Sequence, residues 1–166
     1  MGIAQLVNAG ALCWAFVIWT DDDVTLWVSC AHCVPGVNEV VQVDSLKGVV
    51  VWKSDRSRAG VDISIVRTES RPDHLAFSID RSHGERPFWV NYRARPGKSG
   101  LPGIRPGSRV AYGVLCWSDN RGQAGFCSLF HLPSHETIQA LAESEPLLPD
   151  SAFMPPSGVP DPVFLR

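Results

Sequence analysis

Six short β-prone runs crowd the first 66 residues, at 3–8, 12–19, 24–30, 39–43, 48–52 and 61–66. No stretch between them carries a 3.6-residue apolar period. Closely and evenly spaced strands of this kind predict an antiparallel barrel or sandwich. The acidic turn at Thr20 to Asp23 joins the second and third runs as a hairpin, and Asn8-Ala9-Gly10 ends the first.

The remainder of the chain is sparser. Residues 68–74 read as a polar linker. Runs at 75–79 and 88–92 follow, then a Gly/Pro-rich loop from Arg95 to Gly107, then runs at 109–117 and 125–132 across a polar turn. One helix is expected at 134–143, with Ser134 as its cap, Glu136 in its first turn, and Ile138, Leu141 and Ala142 on one face. From Ser144 onward six prolines fall in 23 residues, the composition of an extended tail. The expected organisation is a β-barrel at 1–67, the linker, a smaller β-unit at 75–143 and the tail at 144–166. The count of 14 glycines and 13 prolines fits many turns better than long helices.

A net charge of -2 gives no argument for nucleic acid or an anionic membrane. The apolar run from Gly10 to Trp19 has no Lys or Arg before it, and the acidic turn follows directly, so it reads as a buried strand rather than a secretory core or a bilayer span. With no targeting segment read, localisation stays unassigned.

Three stretches carry potential chemistry. His32 lies in Ser29-Cys30-Ala31-His32-Cys33, just past a strand, where an imidazole can face a cleft as an acid–base group. By itself it reads first as a satisfied structural histidine, and the catalytic reading depends on partners elsewhere in the chain. Asp62 opens the Asp-Ile-Ser-Ile-Val run, and a half-buried carboxylate there can orient an imidazole. Ser99 sits in Gly97-Lys98-Ser99-Gly100-Leu101-Pro102, where flanking glycines let backbone amides turn toward a developing oxyanion. A phosphate loop is excluded, because Tyr92 stands where its first glycine belongs and no helix follows. Cys30, His32 and Cys33 also suggest metal ligands, but no second ligand pair appears at matched spacing, so no metal or cofactor is expected.

These stretches resemble the trypsin-like (chymotrypsin-fold) serine proteases over most of residues 11–143. Ser29 to Cys33 resembles Thr-Ala-Ala-His-Cys, and Cys13-Trp-Ala-Phe-Val-Ile18 resembles Cys-Gly-Gly-Ser-Leu-Ile. Asp62-Ile63-Ser64-Ile65 resembles Asp-Ile-Ala-Leu, and Gly97 to Pro102 resembles Gly-Asp-Ser-Gly-Gly-Pro. Tyr112 to Ser118 and Gly125-Phe126-Cys127 are similar to the two strands that follow the serine loop, and the order His, Asp, Ser is that of chymotrypsin. The resemblance implies an all-β fold of two antiparallel barrels, the second reduced, with a C-terminal helix. It implies Ser99 as nucleophile, His32 as general base and acid, and Asp62 as orienting carboxylate. It further implies an oxyanion hole from the amides of Gly97 and Ser99, and substrate binding along Cys116, Trp117 and Ser118. Cys13 and Cys33 take the positions of a family disulfide, oxidised or not according to compartment.

The chain departs from the pattern in places. Lys98 replaces the acid before the serine and Leu101 a glycine, and no Ile-Val-Gly-Gly start is present to serve activation by a freed N-terminus. Only 37 residues separate Asp62 from Ser99, leaving room for about two strands before the serine loop where the family has three. Short proteases of this type resemble those in viral polyproteins, which would place the chain in a host cytoplasm. Arg93, six before Ser99, falls where the family sets the base of its specificity pocket and would favour acidic side chains; it also reads as a surface cation. The expected partner is a peptide or protein. Two alternatives remain: an inactive protease-like binding module, and a zinc-stabilised interaction domain on Cys13, Cys30, His32 and Cys33. Cys116 and Cys127 can pair or simply pack, and His74, His83, His131 and His135 read as surface groups.

Overall fold

A computed structural model describes residues 2–55, 60–93, 97–118 and 123–144 of the chain. The tail expected beyond Ser144, and most of the polar turn before residue 123, lie outside the described residues.

The first six strands close into a barrel. They are β1 (Ile3–Asn8), β2 (Ala11–Thr20), β3 (Val24–Ser29), β4 (Val40–Val43), β5 (Leu46–Lys53) and β6 (Ser64–Glu69). Their order around the barrel is β1-β2-β3-β6-β5-β4, and β4 returns to β1 through Leu6 opposite Val43. Tight turns set the register. Ala9 and Gly10 take positive φ between β1 and β2, as do Asp44 and Ser45 between β4 and β5, the backbone twist that two-residue hairpins need. At the β2–β3 turn the Asp21 carboxylate accepts the amides of Asp23 and Val24 at 2.8 and 2.9 Å, which lowers its pKa. Leu6, Phe16, Leu26, Val28, Val43, Val50 and Ile65 are wholly buried, each contributing about 1.5–3 kcal/mol of apolar burial.

The segment after β6 lays Phe77 edge-on against Phe16, with ring centroids 5.8 Å apart, and its amide donates to Val17 O at 2.9 Å. It leads to a second, open sheet built from β7 (Ser78–Ile79), β8 (Phe88–Arg93), β9 (Pro102–Ile104), β10 (Val110–Ser118) and β11 (Gln123–Ser128). The path is β7-β10-β11-β8, with β9 also on β10. Two strands, β7 and β8, precede the serine loop. The helix α1 (His135–Glu143) is capped by Ser134, whose hydroxyl accepts the Thr137 amide, and it buries Ile138 and Ala142.

Four expectations are corrected. β6 begins at Ser64 rather than Val61, so Asp62 lies on the approach to the strand, where its side chain is free of the sheet's alternation. The run at 75–79 forms only two strand residues, and they pair with β10 in parallel, so the second sheet is not wholly antiparallel. The Gly/Pro loop contains β9, because Gly103 lets Tyr112 cross closely on the neighbouring strand. β11 stops at Ser128, whose hydroxyl caps a 3-10 turn at Leu129–His131.

Candidate active site

The barrel supplies an imidazole and a carboxylate from neighbouring strand ends. β3 and β6 run side by side, with Ser29 opposite Ser64. Just beyond β3 the chain makes a 3-10 turn, Ala31–Cys33, with Ala31 and Cys33 buried and His32 turned outward. Just before β6 lies Asp62. Its carboxylate holds His32 twice: Oδ1 accepts the His32 amide at 2.8 Å and Oδ2 accepts Nδ1 at 2.5 Å. The His32 side chain is 38% exposed and that of Asp62 only 11%. An ionised carboxylate has only acceptors, so the proton of the neutral ring sits on Nδ1 and the Nε2 lone pair is left for another proton. Ser64 supports the turn from below, its buried hydroxyl lying 3.3 and 3.1 Å from the carbonyls of Ser29 and Cys30.

The serine loop belongs to the second sheet but docks on the barrel. Gly97 and Gly100 take φ of 86° and 100°, the left-handed region that glycine enters without steric cost. The Trp14 amide on β2 donates to Ser99 O at 2.8 Å, the Gly100 amide donates to Leu115 O at 2.7 Å, and the Leu115 amide donates to Leu101 O at 2.8 Å. A Cβ on Gly100 would lie 1.8 Å from Trp14 O, so only glycine permits this approach. Ser29 donates its hydroxyl to the same Trp14 carbonyl at 2.7 Å, and the Lys98 ammonium lies 5.7 Å from the Trp14 ring centroid. Among the described residues the amides of Gly97 and Ser99 donate no hydrogen bond, and none joins the Ser99 hydroxyl to the His32 ring. Such bonds are often formed only once substrate is bound.

With that geometry in place, likeness to known proteins is informative. No family model matches the chain, and no curated protein matches it. Solved structures do. The Rv3671c protease of M. tuberculosis in its inactive form is 15% identical, with a TM-score of 0.57 over 79% of this chain and 85% of that one. A glutamic acid specific serine protease, described as using a histidine triad in substrate binding, is 17% identical, with a TM-score of 0.56 over 82% and 94%. The NSP4 proteinase of equine arteritis virus is 12% identical, with a TM-score of 0.53 over 78% and 73%. This is the fold of the trypsin-like serine proteases.

Within the trypsin-like fold, the other expected site residues divide. Cys13 and Cys33 are joined by a disulfide that fastens β2 to the His32 turn. Joined to each other, they cannot act as thiolate donors, so the four-ligand zinc alternative loses two of its ligands. Trp117 and Ser118 lie at the outer end of β10, half-buried and exposed, past an irregularity in its pairing with β11. Cys116 points inward instead, toward Asp62. Arg93 ends β8 opposite Gln123, but its side chain lies outside the described residues.

Three buried thiols lie around Asp62, a placement that the sequence does not show. The Cys116 thiol donates to Asp62 O at 3.2 Å, and the Asp62 amide approaches Cys127 Sγ at 3.5 Å. Cys30 donates to Leu115 O at 3.0 Å. Burial raises the pKa of all three thiols, that of Cys127 to about 11. His74 corrects another expectation. It is 3% exposed. Its Nε2 lies 3.0 Å from Asp44 Oδ2, and its Nδ1 accepts the Arg71 amide at 3.2 Å and contacts Thr25 Oγ1 at 2.9 Å. A histidine in a polar linker gives no sequence sign of an acid waiting 30 residues upstream.

Proposed function

We propose that the chain is a serine endopeptidase. Ser99 is the nucleophile, His32 removes its proton through Nε2 and later returns one to the leaving amine, and Asp62 orients the ring and stabilises its charged form. The amides of Gly97 and Ser99 receive the oxyanion of the tetrahedral intermediate. The substrate backbone pairs with the Cys116 to Ser118 edge of β10. The acyl-enzyme formed on Ser99 is then hydrolysed by water activated at His32. The observation that carries this reading is the two-point hold of Asp62 on His32 beside a serine loop fastened to the same barrel.

The structures it is similar to are proteases, one of them a viral proteinase, which favours a peptide substrate and leaves polyprotein processing as the natural task to test. An acidic preference through Arg93, with Glu143-Ser144 as a self-processing junction, belongs to the same proposal. The second reading, an inactive binding module, draws on the unlinked Ser99 hydroxyl. Incubation with a diverse peptide mixture, followed by mass spectrometry, separates the two. New termini produced by wild type and absent with Ser99→Ala support the peptidase. An unchanged mixture after incubation with folded wild type favours the module.

A further inference from the structure

Three cysteines remain as thiols, and all three are buried where the two sheets meet. Cys30 directly follows β3 at the N-terminal end of the turn that carries His32, whereas Cys116 lies on β10 of the other sheet. Their sulfurs are 2.8 Å apart. That separation is well inside the contact distance of two unbonded thiols. Each thiol proton has an oxygen acceptor of its own, Leu115 O for Cys30 and Asp62 O for Cys116, so no proton needs to lie between the sulfurs. Cys127 has a different setting. It faces Val114 across the β10–β11 ladder, with its sulfur turned to Asp62 and Ser128.

We propose that Cys30 and Cys116 are the site of a second disulfide, one that joins the barrel covalently to the second sheet. Bringing the sulfurs to a bond of about 2.05 Å takes less than an ångström of movement from their present contact. The protein already carries one disulfide at Cys13–Cys33, whose Cys33 directly follows His32, while Cys30 stands two residues before it. An oxidising compartment, in which the first persists, favours the second as well.

A peroxide is an oxidant small enough to enter such a junction. One thiolate attacks a peroxide oxygen to give a sulfenic acid and water. The partner sulfur then displaces the sulfenic oxygen as a second water, its proton leaving with it, and the S–S bond forms. One peroxide is reduced by two electrons and two thiols are oxidised. Burial makes the thiolates scarce and the step slow. Once formed, the bond ties the His32 turn to the strand that ends at Trp117-Ser118, and the Cys116 hydrogen bond to Asp62 O is lost.

The test is peptide mapping of the full chain after exposure to hydrogen peroxide, with free thiols alkylated in denaturant before trypsin. No Lys or Arg precedes Lys47, and Arg109, Arg121 and Arg166 place Cys116 and Cys127 in separate peptides. The expected product is the 1–47 peptide linked to 110–121, a mass loss of about 2 Da, and one alkylated thiol, at Cys127. Cys127→Ser keeps the link, and Cys30→Ser and Cys116→Ser abolish it. A link from 1–47 to the Cys127 peptide, a link between the Cys116 and Cys127 peptides, or three alkylated thiols in wild type overturns the proposal. None of these outcomes depends on proteolytic activity.

Discussion

The amide of Trp14 donates to the carbonyl oxygen of Ser99 at 2.8 Å, a backbone bond between the closed barrel and the loop that carries the candidate nucleophile. His32 and Asp62 belong to the barrel, and Ser99 to the second sheet. Their mutual placement therefore depends on this docking as well as on the fold of either half.

Gly100→Ala is expected to break the docking. The added methyl meets Trp14 O, and φ of 100° is closed to alanine, so the loop must move or the backbone must strain, at a cost of about 1–3 kcal/mol. A lower thermal midpoint together with lost reactivity of Ser99 is the expected outcome. Gly107→Ala, with open space around it and a positive φ of 71°, controls for the strain of a positive φ without the clash: it should lower stability slightly and leave Ser99 unaffected.

His74→Ala tests the buried link between linker and barrel. It leaves the Arg71 amide without its acceptor and Asp44 without its donor, and should cost about 1–3 kcal/mol in denaturant unfolding. Stability equal to wild type would show that the pair holds nothing.

Asp80 makes acid stability legible at one group. Its carboxylate accepts the Ser82 hydroxyl and amide at 2.6 and 2.8 Å and meets Arg105, which together hold its pKa at about 2. A depressed folded-state value stabilises the protein above the ordinary aspartate value near 4 and loses that contribution as the pH falls from about 4 to about 2. Replacement by Asn should flatten the stability profile over that window and leave its shape above pH 5 unchanged.

The barrel is legible because its short β-prone runs follow one another at close, even spacing and its turns carry Asn-Ala-Gly and Thr-Asp-Asp-Asp signals. The second sheet was harder to read. β9 has three residues and β7 has two, too short for a period, and β7 is placed by parallel pairing that no turn announces. At the site, His32, Asp62 and Ser99 were singled out by residue type and chain order. What holds them was not visible. The Trp14 amide, the Ser64 hydroxyl and the Cys116 thiol act through contacts whose partners lie far along the chain or through backbone atoms, and backbone atoms are the same in every residue.

In the proposed mechanism His32 activates Ser99 while Asp62 holds His32. The direct measurement is the rate of labelling by a fluorophosphonate probe in wild type, Ser99→Ala, His32→Ala and Asp62→Asn, each first shown to be folded. Ser99→Ala and His32→Ala should lose labelling, and Asp62→Asn should slow it by roughly 10³–10⁴-fold through the wrong ring tautomer. A folded wild type that takes up no probe, or one labelled equally well without His32, would mean that His32 does not activate Ser99.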